Sequence, residues 1–211
     1  MSFLEPLLAA GGIESLLDEL DWTQPWMGSW TGAGSASALV TGMADRAWQQ
    51  RYLGWLAQET DPVSGLLRRG SIGQDSGTFF ANLAATFHYV FVGEYLAAPM
   101  TAPEAKIDSA LRTYADGMLS ADRSVGFAQG DWAYVLNRAT RHTSHRGDEA
   151  RAALREVALG VADNLLTRGI QGSMHDVLGV VTTLAELQNA APGLLLTPRP
   201  LRSLLDRRPF L

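Results

Sequence analysis

Two aspartates and one histidine are the residues of this 211-residue chain best placed for acid–base chemistry. Asp131 follows the stretch 124–130, and His175 and Asp176 follow the stretch 170–173, so each group is predicted to open a buried helix. Glycoside hydrolysis needs one protonated and one ionised group across the scissile bond. We therefore predict Asp131 as the acid and His175 or Asp176 as the base. The alternative is that both aspartates cap helix N-termini, where aspartate is favoured.

Adjacent residues of a helix diverge by about 100°, so at most one of His175 and Asp176 points squarely inward. His175 is favoured because its face continues through Gly179, Thr182 and Glu186 at helical spacing. Similar polar stripes occupy the other predicted buried helices. Either these stripes meet at one pocket, or their polar groups satisfy one another between packed helices. The pocket interpretation assigns ligand binding to Trp26, Asn82, Tyr89, Trp132, Tyr134 and Arg138.

Aromatic residues and histidines allow further interpretations. Trp22, Trp26 and Trp30 fall in a Gly/Ser-rich stretch, 21–34, predicted as a loop. There they either stack on sugar rings or close the end of a helical core. His88 lies well inside an apolar segment, which favours a hydrogen-bonded core histidine over a proton donor.

Composition excludes several functional classes. There is no cysteine, so disulfide scaffolds, thiolate chemistry and Cys-ligated zinc are excluded. Acidic residues outnumber basic ones by 22 to 17, which argues against general nucleic-acid binding. His142 and His145 lie among arginines without a third ligand, so we predict no metal and no cofactor. The acidic N-terminal stretch lacks the positive region of a secretory signal, and polar residues interrupt the apolar segment 79–100; we expect a cytoplasmic chain without a membrane span.

Helices of two kinds alternate along the chain and must position these residues. Charged, amphipathic segments predict outer helices with one solvent-facing side, whereas nearly uncharged segments predict inner, buried ones. The outer segments are 13–20, 45–57, 102–119 and 147–168, and the inner ones are 33–43, 77–98, 131–143 and 174–189. Phe79, Phe87, Leu111, Val157 and Leu184 are predicted core residues. The pattern predicts an all-α fold of stacked helical hairpins.

Several segments also carry a family resemblance. The stretch 55–66 with its Asp-Pro-Val-Ser-Gly, the stretch 85–88, and the segments 26–38, 130–138 and 201–210 resemble α/α-toroid proteins of uncharacterised function. Related toroids include six-hairpin glycosidases, sugar epimerases, prenyltransferases and terpene cyclases. The resemblance implies a toroid-like barrel. The helices counted here amount to about four hairpins rather than the six of a closed toroid, so the barrel is predicted to be small or incomplete.

The sequence therefore predicts one toroid-like domain over residues 1–211, with a proline-rich tail at 191–211 packed on its body. The predicted function is a carbohydrate-active or related small-molecule enzyme with its pocket at the N-terminal ends of the inner helices. The alternative is a non-catalytic toroid that serves as a binding or assembly scaffold. Apolar surfaces left open at the first and last hairpins need a cover, and we expect the tail or, in preference, a second copy of the chain in a homodimer.

Overall fold

The computed structural model describes residues 3–119, 125–170 and 172–206. Within these residues the fold is all-α, with no strand, as the sequence predicts. The eight α-helices are α1 (Gly12–Glu19), α2 (Pro25–Val40), α3 (Arg46–Glu59), α4 (Ser76–Tyr95), α5 (Pro103–Ala115), α6 (Phe127–Ala139), α7 (Gly147–Arg168) and α8 (Met174–Ala190). Short 3-10 turns cover Glu5–Leu8 and Leu204–Asp206. The bounds of α7 match the prediction, but α2 begins eight residues and α6 four residues earlier than predicted.

The chain divides into two compact units. The first unit contains α1 to α4 and the turn Leu204–Asp206, and the second contains α5 to α8. In the first unit the two most buried helices are α2 and α4. In the second unit α6 is the most buried helix, and α8 packs against it.

The buried helices of the first unit run parallel. Contacts join Trp26 to Phe80, Ser29 to His88, and Gly32 to Tyr89, so residue numbers rise together along α2 and α4. A Cβ at Gly32 would lie 2.5 Å from the Tyr89 hydroxyl, which is why only glycine permits this approach. The α3 helix returns the chain between them, and its Trp48 Nε1 donates to the carbonyl of Leu7 at 2.8 Å.

The second unit repeats this parallel arrangement with α6 and α8. Gly179 lies against Phe127, Gly130 against Thr183, and Glu186 against Asn137. A Cβ at Gly130 would lie 2.6 Å from the Thr183 hydroxyl, so the close contact again depends on glycine. Both inner helices therefore begin at the same end of the unit.

Burial agrees with most of the predicted core. Phe79, Phe87, Leu111 and Val157 are buried, whereas Leu184 is only half-buried. The prediction that α8 is buried all round is wrong, because Val181 is 44% exposed. The helix packs on α6 and α7 and is the last helix of its unit, so its remaining face stays open.

One outer helix is less solvent-facing than predicted. Lys106 of α5 is expected on a wet face but is only 3% exposed. Burial lowers the pKa of its amine to about 7. The helix ends in a turn at Gly117, whose φ of +71° favours glycine.

The tail is attached to α8 through one glutamine. Gln188 Nε2 donates to the carbonyl of Leu195 at 2.8 Å, and its Oε1 accepts from the backbone N–H of Leu201 at 2.6 Å. Leu205 in the turn that follows is buried and belongs to the first unit, where its turn contacts α4.

Candidate functional site

Asp131 does not open its helix. The α6 helix begins at Phe127, so Asp131 is its fifth residue. The start is fixed instead by Gln129, whose Oε1 accepts from the backbone N–H of Gly126 at 3.0 Å. Helix capping, the alternative left open by the sequence, therefore does not account for Asp131.

The Asp131 carboxyl is buried, and one of its two oxygens lacks a hydrogen-bond partner among the described residues. The residue is only 2% exposed, and no described group bonds its Oδ2 atom. Desolvation raises its pKa well above the ordinary value, because burial penalises the charged form. The residue is thus a carboxylic acid that favours its protonated form.

Asp176 lies in a different environment. It is exposed in the first turn of α8, where its Oδ2 accepts from the backbone N–H of Ser173 at 2.7 Å and from the Ser173 hydroxyl at 2.8 Å. These hydrogen bonds lower its pKa. The arrangement is a capping box, so Asp176 follows the capping interpretation.

His175 is exposed beside Asp176 and packs its ring on Phe127, with ring centroids 4.5 Å apart. Phe127 and Asp131 are four residues apart on α6, which is about 6 Å along the helix axis. His175 therefore lies at the same end of α6 as Asp131, with the Phe127 ring beside it.

Arg138 forms a buried ion pair with Glu186 of the same chain. Its Nη2 donates to Glu186 Oε2 at 3.1 Å, while Asn137 Nδ2 donates to Glu186 Oε1 at 2.5 Å. The guanidinium also lies 4.6 Å from the ring centre of Tyr134. Arg138 and Glu186 are 4% and 1% exposed, so the ion pair is removed from water. These contacts place Arg138 and Tyr134 in a buried network that links α6 to α8.

Trp132 lies on the side of α6 that contacts α5. It is fully buried, its Nε1 donates to the carbonyl of Ala110 at 2.8 Å, and its ring stacks on Tyr114 with centroids 6.1 Å apart. The indole therefore joins α6 to α5.

Asn82 anchors the long loop between α3 and α4. Its Oδ1 accepts from the N–H of Gly73 at 3.0 Å, and its Nδ2 donates to the carbonyl of Leu67 at 3.3 Å. Thr86, one turn later, accepts from the N–H of Leu67 at 2.9 Å. The polar stripe of α4 thus satisfies the loop backbone.

Tyr89 and Trp26 also lie in the first unit. Tyr89 is buried, no described group bonds its hydroxyl, and burial raises the pKa of its phenol. Trp26 is half-buried, with Phe80 against it edge-on at 5.8 Å. The prediction of a loop over residues 21–34 is wrong beyond residue 24, because Trp26 is the second residue of α2.

His88 is a buried, hydrogen-bonded core residue, as predicted. Ser29 Oγ donates to the carbonyl of Trp26 at 2.6 Å and lies 2.8 Å from His88 Nδ1, so the imidazole is the donor in that contact. Burial lowers its pKa to about 4. His88 is therefore neutral at physiological pH.

A cavity of about 470 Å³ opens in the second unit, between the end of α5, the start of α6 and the middle of α7. Its described lining includes Tyr114, Gln129 and Glu156, none of which the sequence singled out. Tyr114 was hidden in the apolar stripe of α5, and Glu156 among the many charges of α7. No signal in the sequence pairs these residues, because Glu156 is one exposed charge among several on α7.

No family profile matches the chain, and no curated protein or solved structure is detectably similar to it. Among the described residues, no group of three or more His, Cys, Asp or Glu side chains is placed to hold a metal ion. Nor is any described helix both long and apolar enough to span a bilayer.

Proposed function

We propose that the chain is a carbohydrate-active or related small-molecule enzyme in which Asp131 donates the proton. The observation that carries the proposal is its buried carboxyl, whose Oδ2 has no partner among the described residues. Leaving a buried polar group unpaired costs about 1–3 kcal/mol. Functional sites are where proteins retain such groups with strongly shifted pKa values.

The chemistry of a buried carboxylic acid suits a general acid. Glycoside hydrolysis uses a carboxyl that stays protonated at neutral pH, and an apolar environment is the usual means of raising its pKa. The carbohydrate class itself rests on the resemblance of the sequence to α/α-toroid proteins. The base in this proposal is His175, since the Asp176 carboxylate is occupied by Ser173.

The test compares Asp131→Asn with Asp176→Asn on a panel of p-nitrophenyl glycosides. We expect Asp131→Asn to lower turnover by about 10²–10⁴-fold, the usual contribution of general acid catalysis. Asp176→Asn, which removes the same charge, should reduce helix stability but retain turnover. Turnover by Asp131→Asn at the wild-type rate, or no hydrolysis of any glycoside by the wild-type chain, would contradict the proposal.

The pH dependence of stability gives a second readout. Because the pKa of Asp131 is raised in the folded state, the unfolded chain loses its proton first as the pH rises. The contribution of this group to stability is therefore present below about pH 4 and is lost as pH rises toward the folded pKa. Asp131→Asn should remove this decline, which urea unfolding at several pH values would measure.

A non-catalytic scaffold is the second candidate function. The observation that favours it is the use of Trp132, Asn82 and Arg138 in contacts within the protein. Under this alternative Asp131→Asn raises the melting temperature at neutral pH, and mono- and disaccharides shift the melting temperature of neither protein. A saccharide-induced shift that Asp131→Asn abolishes would exclude the scaffold.

A further inference from the structure

The cavity of the second unit is separate from the Asp131 proposal. Gln129 and Asp131 both lie on α6, but two positions apart they diverge by about 200°, so they face nearly opposite sides of the helix. Gln129 lines the cavity and Asp131 does not. The volume of about 470 Å³ is within the range of small-molecule sites.

Glu156 gives the cavity its charge. It is the one ionisable acid or base among the lining residues that the structure describes, apart from the Tyr114 phenol. The Tyr114 hydroxyl donates a hydrogen bond to this carboxylate, and this bond is the main reason that the pKa of Tyr114 is raised to about 12. No described basic side chain forms an ion pair with Glu156, so the carboxylate retains capacity to accept further hydrogen bonds.

The walls around the carboxylate are mainly apolar. Val157 and Val161 of α7 line one side of the cavity, and Val125, just before α6, also lines it. The Tyr114 ring is backed by the stacked indole of Trp132, which is itself fixed to the carbonyl of Ala110. Gln129 is oriented by its bond to Gly126, in which the oxygen of its amide accepts from the backbone N–H.

We propose that this cavity binds a small organic amine, with the ammonium group on Glu156 and the apolar body against the three valines. An ammonium group carries donors only, which matches a carboxylate that accepts from Tyr114 and can accept further hydrogen bonds. A charge-assisted hydrogen bond is roughly twice as strong as one between neutral groups. The adjacent Tyr114 ring also attracts cations through its face.

The test uses three probes of one shape: 2-phenylethylamine, 2-phenylethanol and phenylacetate. Isothermal titration calorimetry on the full chain should detect the amine, with affinity at least tenfold higher than that of the alcohol and no binding of the acid. Glu156→Gln should lower the affinity for the amine at least tenfold and leave the alcohol unchanged. Asp163→Asn, a control on the same helix outside the described lining, removes the same charge and should retain amine binding.

Three results would overturn the proposal. They are equal affinity of the wild-type chain for amine and alcohol, unchanged amine affinity in Glu156→Gln, and absence of amine binding to the wild-type chain. If Glu156→Gln does not fold, ionic strength provides the same discrimination. Between about 0.05 M and about 0.5 M salt, screening should weaken the amine and not the alcohol, and an equal response of both would reject the carboxylate as the binding group.

Discussion

The two units pack their inner helices in the same way but join them through different polar contacts. Both bring two parallel helices together where a glycine meets a side chain, Gly32 on Tyr89 in the first unit and Gly130 on Thr183 in the second. In the first unit the polar contact between these helices is neutral, from His88 to Ser29. In the second it is ionic, from Arg138 to Glu186.

This difference separates the requirements of packing from those of chemistry. Close helix approach needs small residues and is met in both units, so it does not explain the charges of the second unit. A buried ion pair is weak as a source of stability, because desolvation offsets much of its attraction. Buried polar atoms without a partner among the described residues occur in both units, at Tyr52 and Tyr89 in the first and at Asp131 in the second. Of these three residues, only Asp131 carries a carboxyl group.

The largest expected effect comes from breaking the ion pair of the second unit. Glu186→Ala leaves the Arg138 guanidinium buried without its carboxylate, and we expect a loss of about 3–5 kcal/mol in the free energy of unfolding. Urea unfolding followed by circular dichroism measures it.

The control for this prediction replaces both partners. Arg138→Met combined with Glu186→Leu removes both charges and fills similar volume, so most of the stability should return. A double variant as unstable as Glu186→Ala would show that the pair contributes more than charge compensation.

The contact between Ser29 and His88 in the first unit should lose its contribution to stability in acid. His88 has a pKa of about 4 in the folded chain and an ordinary value of 6.5, so the unfolded state binds the proton first as pH falls. Its stability contribution is complete above about pH 6.5 and decreases toward pH 4, where the loss reaches about 3 kcal/mol. Unfolding free energies at intervals across this range measure the slope. His88→Asn, which cannot titrate, should lack it; the same slope in that variant would assign the effect elsewhere.

The glycine contact of the first unit should tolerate no side chain. Gly32→Ala would place a methyl group 2.5 Å from the Tyr89 hydroxyl and 2.7 Å from Leu17, and we expect a loss of about 1–3 kcal/mol from overpacking. Gly54→Ala in α3 is the matched control, because nothing lies within 4 Å of its added Cβ. That control should stabilise by up to about 1 kcal/mol through helix propensity. Thermal unfolding of the two variants compares them directly.

The smallest expected effect concerns how the fourth helix of each unit begins. Ser173 caps α8, and Asp75 caps α4 by accepting from the backbone N–H of Thr78 at 3.0 Å. Ser173→Ala and Asp75→Ala should each cost about 1 kcal/mol. A difference of several kcal/mol between the two variants in denaturant titrations would show that one of these caps does more than satisfy the backbone N–H groups at its helix start.

Helix type and order could be predicted from the sequence, because charge and apolar spacing report which side of a helix meets water. The start of α2 could not. Gly28, Gly32 and Gly34 without any charge resemble a loop, yet Gly32 belongs to a helix that packs too closely for side chains. Composition alone does not distinguish a glycine that frees the backbone from one that admits a neighbour.

The candidate site was predictable only in part. Asp131 was singled out for a position at a helix start that it does not occupy, since Gln129 and Gly126 begin α6 one turn earlier. Its burial depends on which elements cover that face, and spacing along one helix does not contain that information. The prediction that Lys106 is solvent-facing is wrong for the same reason. A lone charge on an amphipathic helix is expected in water, and this one is buried.

The parallel course of α6 and α8 has a consequence for how such a chain can change in evolution. Within each unit the return helix restores the original direction, so both inner helices of that unit begin at the same end. A duplicated outer–inner pair added to a unit in this way would again begin its inner helix on that rim. Segments on that rim, such as Ser173 with Asp176, can then diverge in sequence while the glycine-mediated contacts below them are inherited unchanged.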